Sequence, residues 1–129
     1  MNTSILLVTH EGVGDSLLKT AKKLLGSPLS ACIDSYCVAY DCIPEKEAIK
    51  LKQCCDALDK GAGVLLLNDL YGATPANIAM QIKGEAQRWL VSGLNLAMLL
   101  KVLNYSYLDG DALARKASEG GRNSVLKLW

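Results

Sequence analysis

The sequence has no basic excess: 14 Lys and Arg stand against 13 Asp and Glu over 129 residues, and no Lys/Arg run exceeds two. Nucleic-acid binders usually carry a basic surplus or stripe, so the balance argues against that class. There is no second histidine, and no CxxC pair joins any of the five cysteines, Cys32, Cys37, Cys42, Cys54 and Cys55. A zinc site needs several thiolate or imidazole ligands at short spacings, so none is expected. The odd cysteine count, without a secretory leader, reads as reduced thiols of a cytoplasmic protein. MNTSILLVTHEG has neither a basic start nor a long apolar core, so it is not read as a signal peptide. No run approaches the roughly 18 apolar residues of a membrane span. Gly12-x-Gly14 is followed at position 17 by Leu, which breaks the dinucleotide fingerprint, and no Walker lysine follows any glycine loop.

What is present is an ordinary globular balance, 50% apolar and 21% charged, in a length that suits one domain over residues 1–129. Such a chain buries enough apolar surface to fold without disulfides or metal. Short apolar runs alternate with amphipathic ones. Ser4–Val8 reads as a buried strand, and the spacing of Leu17, Leu18, Ala21, Leu24 and Leu25 predicts a helix from about Asp15 to Leu25 with its stop at Gly26. Leu29–Ser35 reads as a second strand, and 36–43 as loop or continued extended chain. Pro44 opens a helix from about Glu45 to Leu58, acidic at its start. Val64–Leu67 is the most apolar run and the expected central strand. Thr74 and Pro75 predict the cap and first position of a helix to about Lys83. Arg88–Ser92 reads as a fourth strand, Asn95 to about Tyr105 as a helix, and a last helix runs from Asp109 or Asp111 to Gly120-Gly121. Ser124–Leu128 reads as a final short strand. Leu94, Leu96, Met98, Leu99 and Leu100 are expected in the core, Asn77 and Asn95 as caps or turn formers, and Trp89 and Trp129 in packing or an interface.

This alternation predicts an α/β fold of three layers: an open, mainly parallel sheet with helices on both faces. Ligands of such sheets gather at the carboxyl ends of the strands. Three strand ends there carry polar or glycine-rich sequence: Thr9–Gly14, Asn68–Pro75 and Ser92–Asn95. His10 is the one side chain with an unperturbed pKa near neutrality, and a neutral imidazole nitrogen attacks phosphorus readily. To carry a phosphoryl group it needs a partner that fixes its tautomer, donors around the phosphate and a helix start aimed at it. Asp69 is the candidate for the first. Gly72, Ala73 and Thr74, with the helix opening at Pro75, are candidates for the others.

At these residues the chain resembles the enzyme IIA of the mannose family of the bacterial phosphoenolpyruvate-dependent sugar phosphotransferase system. The segments are ILLVTHEGVGDSLLKTAKKLLG (Ile5–Gly26), VLLLNDLYGATPANIA (Val64–Ala79) and VSGLNLAMLL (Val91–Leu100), with a weaker one in LARKASEGGRNSVLKL. The resemblance implies that His10 is phosphorylated by the phosphocarrier protein HPr and that Asp69 hydrogen-bonds it. It implies that Thr74 binds the phosphoryl group beside the backbone of the Gly72 turn, Ala73 included. The acceptor would be a IIB protein or domain in trans. No cofactor and no metal is implied, no nucleic acid and no membrane insertion. The resemblance also implies a homodimer in which the last strand, 124–128, is antiparallel and exchanged between subunits. Glu11 and Ala73 stand where many members have glycine, and Ala97 where many have proline. Ala73 keeps its N–H but would distort the cradle if that position required positive φ. Two other readings stand beside transport: a regulatory binding module whose partners depend on the phosphorylation of His10, and the related phosphotransfer subunit of dihydroxyacetone kinase.

Overall fold

The computed structural model describes residues 2–84 and 86–129. Four parallel strands, β1 (Ser4–His10), β2 (Ile33–Val38), β3 (Val64–Asn68) and β4 (Arg88–Ser92), form one sheet in the order β2-β1-β3-β4. Five helices follow them in chain order: α1 (Val13–Leu25) after β1, α2 (Pro44–Leu58) after β2, α3 (Thr74–Met80) after β3, then α4 (Leu96–Asn104) and α5 (Gly110–Asn123) after β4. The expected parallel α/β sheet with helices on both faces is therefore present.

The two faces follow from alternation along the strands. Ile5, Leu7, Leu65 and Leu67 pack with Leu18, Ala21, Met98, Leu99, Leu113 and Ala117, so α1, α4 and α5 cover one face. Leu6, Val8, Val64 and Leu66 pack with Leu51, Cys55, Ile78 and Ala79, so α2 and α3 cover the other. Because β1 and β3 are covered on both sides, each reads as an unbroken apolar run rather than an alternating one.

The connections leave β1 toward β2 in one direction and β3 toward β4 in the other. Adjacent β1 and β3 therefore flank the point where strand order reverses, and in open α/β sheets the ligand crevice lies at the carboxyl ends of the strands flanking that point. His10 closes β1, and Asp69 directly follows β3.

Several boundaries differ from the sequence reading. β1 runs on to His10 because Thr9 and His10 pair with Cys37 and Val38. The same register moves the second strand to Ile33–Val38. α3 starts at Thr74 itself; Ala73 is the capping residue, and no side chain caps the helix. α5 passes through Gly120 and Gly121 to Asn123. These glycines are interior because a Cβ would lie 2.7 Å from Lys101 Cγ at one and 2.7 Å from Met98 Cε at the other, so they permit close contact with α4. Segment 124–128, expected as a strand, pairs with no strand among the described residues. Asn95 does cap α4, accepting from Met98 N at 2.8 Å. Leu94, Met98 and Leu99 are core residues, and Trp89 packs against that core. All five cysteines are free thiols.

At the amino edge of the sheet, opposite the crevice, the Arg88 guanidinium is only 5% exposed and bridges Asp59 at 2.7 Å and Asp56 at 2.9 Å. This ties the end of α2 to β4. Arg88 and the Gly61 and Gly63 N–H groups hold the Asp59 carboxyl below its ordinary pKa range. A carboxylate with a depressed folded-state pKa stabilises the fold fully above the unfolded-state value near 4, and the contribution fades as pH falls through the folded value. Asp59→Ala leaves a nearly buried cation with one exposed partner. It is expected to cost about 1–2 kcal/mol in urea unfolding at neutral pH, less than a fully buried pair because Asp59 stays in contact with water. The gap to the parent protein should narrow below about pH 4.

Candidate functional site

The site is built from the ends of β1 and β3. Asp69 Oδ2 accepts from the backbone N–H of His10 at 3.2 Å and lies 2.8 Å from its ring Nδ1. An ionised carboxylate only accepts, so with Asp69 ionised the proton sits on Nδ1, and in the neutral ring Nε2 is the atom with a free lone pair. The His10 side chain is 25% exposed and that of Asp69 12%, so the pair is mostly buried yet keeps solvent access. The two residues that the sequence reading joined are in direct contact.

The backbone holding His10 is fixed from below by Thr9, a residue that sequence reasoning passed over. Its buried hydroxyl donates to the His10 carbonyl at 2.9 Å and accepts from Gly14 N at 2.8 Å. The single hydroxyl thus ties the end of β1 to the first turn of α1. Gly14 must approach closely for this. A Cβ there would lie 2.6 Å from Ser35 Oγ and 2.9 Å from Thr9 Oγ1. The weak Gly12-x-Gly14 signal therefore marks a close backbone approach and not a nucleotide loop.

The other strand end is fixed as well. The Gly93 and Leu94 N–H groups both donate to the Asn68 carbonyl, at 3.0 and 2.9 Å. The third polar strand end, Ser92–Asn95, lies on the same sheet edge and braces the residue before Asp69.

Gly72, Ala73 and Thr74 occupy the turn between Asp69 and α3. Gly72 has φ +82°, which only glycine adopts without strain. Ala73 has φ −85° and ψ 170°, so alanine costs nothing there. Its N–H, however, already donates to the Leu70 carbonyl at 3.3 Å within the turn. Thr74 is exposed at the first helical position, where N–H groups lack intrahelical partners. Asn77 donates to the Gly72 carbonyl at 3.4 Å and steadies the turn. Among the described residues no non-glycine residue has positive φ, so Glu11, exposed in the turn before α1, needs no glycine torsion either.

Residues 4–117 match the EIIA-man family model, described as PTS system fructose IIA component. The chain belongs to this family. It is 32% identical over 136 aligned positions to the PTS system mannose-specific EIIAB component of Escherichia coli K12, covering 99% of this chain and 40% of that protein. The chain thus spans about two fifths of the length of the curated relatives it matches. The mannose/sorbose specific IIA subunit from Enterococcus faecalis superposes with a TM-score of 0.86 at 26% identity, covering 100% of this chain and 96% of that one. A PTS IIA protein associated with the fucose utilization operon of Streptococcus pneumoniae superposes with a TM-score of 0.85 at 20% identity, covering 99% and 94%, and shares the fold. Among the described residues of this EIIA-man member, no helix is long and apolar enough to cross a membrane.

Gly14→Ala puts a methyl group into the Thr9–Ser35 contact. It is expected to destabilise the protein by about 1–3 kcal/mol. The measurement is urea unfolding beside Lys19→Ala, an exposed change on the same helix that should stay near zero.

Proposed function

We propose that His10 accepts a phosphoryl group from phospho-HPr and passes it to a IIB acceptor in trans, as the IIA component of a sugar phosphotransferase system. The observation that carries this reading is the 2.8 Å bond between His10 Nδ1 and Asp69 Oδ2. It leaves Nε2 unprotonated and pointing its lone pair away from the carboxylate. Nε2 attacks phosphorus in line with the donor's leaving nitrogen. The new P–N bond forms as the old one breaks, and the donor atom keeps the electron pair. The ring becomes cationic while phosphorylated at Nε2 with its Nδ1 proton retained, and Asp69 stabilises that charge. Gly72, Ala73 and Thr74 bind the phosphoryl oxygens through N–H groups and the Thr74 hydroxyl, the Ala73 N–H exchanging its long bond to Leu70 for the anion. Positioning and charge carry most of such a transfer. Family membership supports the same roles.

Incubation with enzyme I, HPr and phosphoenolpyruvate should yield an acid-labile phosphoprotein, absent in His10→Ala. Asp69→Ala should slow its formation on the order of 100-fold, the cost of a misoriented reacting group, without loss of the fold. An adduct that persists in His10→Ala excludes the site.

The protein acts, on this reading, as a homodimer that exchanges residues 124–128 across subunits. In its support, β4 is a terminal strand of the sheet, and the tail that follows α5 carries exposed Val125, Leu126, Leu128 and Trp129. An unpaired edge and an exposed apolar segment of strand length answer one another's needs. Sedimentation should give a dimer for the intact chain and a monomer after removal of residues 124–129; a dimer that survives the truncation rules out exchange as its basis.

A further inference from the structure

The loop after β2 contributes a residue to the site. Val38, the last residue of β2, pairs with His10. Directly beyond it, Cys42 N donates to the Ala39 carbonyl at 3.2 Å and closes a four-residue turn with Tyr40 and Asp41 at its corner. The turn carries Tyr40 over the carboxyl edge, where its ring lies 5.9 Å from the imidazole, centroid to centroid, tilted by 35°. That spacing is within the range of a packed aromatic pair. Tyr40 is otherwise 79% exposed, so core packing does not account for the placement of the ring.

We infer that Tyr40 is a positioning residue for His10, its ring flanking the imidazole so that, with Asp69, it sets the plane in which Nε2 meets phosphorus. The inference rests on the phosphotransfer reading above. A single bond at Nδ1 anchors one atom of the ring and leaves the imidazole free to rock about that bond, because the terminal torsion of histidine is broad. A second ring packed beside the imidazole removes that freedom. The contact uses the body of the aromatic ring, so the phenol hydroxyl is not required, and phenylalanine serves as well. Orientation of this kind acts on the reacting step and not on capture of the donor protein.

The test uses two donors, phospho-HPr and inorganic phosphoramidate, a small donor with no protein surface to dock. Tyr40→Ala and Tyr40→Phe are compared with the parent protein, and thermal melts check that each variant is folded. With both donors, Tyr40→Ala should lower the limiting rate of His10 phosphorylation about tenfold, with half-saturation by phospho-HPr within about twofold of the parent; Tyr40→Phe should keep the parent rate. Because the chain has one histidine, its imidazole protons give one set of resonances. A cross-relaxation signal between them and the Tyr40 ring protons checks the contact without any activity. Loss confined to phospho-HPr half-saturation would make Tyr40 a donor contact and overturn the inference, as would a Tyr40→Phe variant as slow as Tyr40→Ala, or absence of the signal. A parent protein that takes phosphoryl from neither donor refutes the phosphotransfer reading itself and the inference with it. A parent that reacts alongside an equally fast Tyr40→Ala refutes the inference alone.

Discussion

One carboxylate oxygen holds this site together. Asp69 Oδ2 takes the backbone N–H and the ring Nδ1 of a residue 59 positions earlier in the chain. The first bond locates the end of β1 against the end of β3, and the second selects the tautomer. Neither is possible unless the two strands are neighbours in this register, in which Val8 pairs with Asn68, the last residue of β3. The flanking contacts serve the same geometry from below and from the side. The Thr9 hydroxyl ties β1 to α1, and the Gly93 and Leu94 amides brace the carbonyl before Asp69.

Stability and chemistry are placed at opposite edges. The Arg88–Asp59–Asp56 bridge closes the amino end of the sheet, far along the strands from the crevice. The partly hydrated pair His10–Asp69 occupies the carboxyl end. Changes at one end therefore leave the other's contacts intact, since energetic terms at separate, non-contacting sites add nearly independently.

Much of this was legible in the sequence because it rests on local pattern. Unbroken apolar runs marked β1 and β3, and helical spacing marked α1 and α4. The carboxyl-edge rule then brought His10 and Asp69 to one place. What pattern could not carry is tertiary. The limits of β2 depend on its partner strand, since Leu29–Ser35 and Ile33–Val38 are equally extended in composition. Gly120 and Gly121 look like a helix stop until the close approach of Lys101 and Met98 explains them. Thr9 looks like any strand residue until its hydroxyl is seen between two backbone groups. Tyr40 lay in a stretch without periodicity, and only the pairing of Val38 with His10 shows which neighbour its turn delivers it to.

The turn before α3 separates two demands that its sequence merges. At position 72 the constraint is purely torsional: φ is +82° and a Cβ would meet nothing within 4 Å. At position 73 the backbone is extended and any L-residue can adopt it. The backbone of this loop therefore has no need of a second glycine at position 73. Searches that treat the doublet as obligatory will pass over sequences whose loops have the same shape.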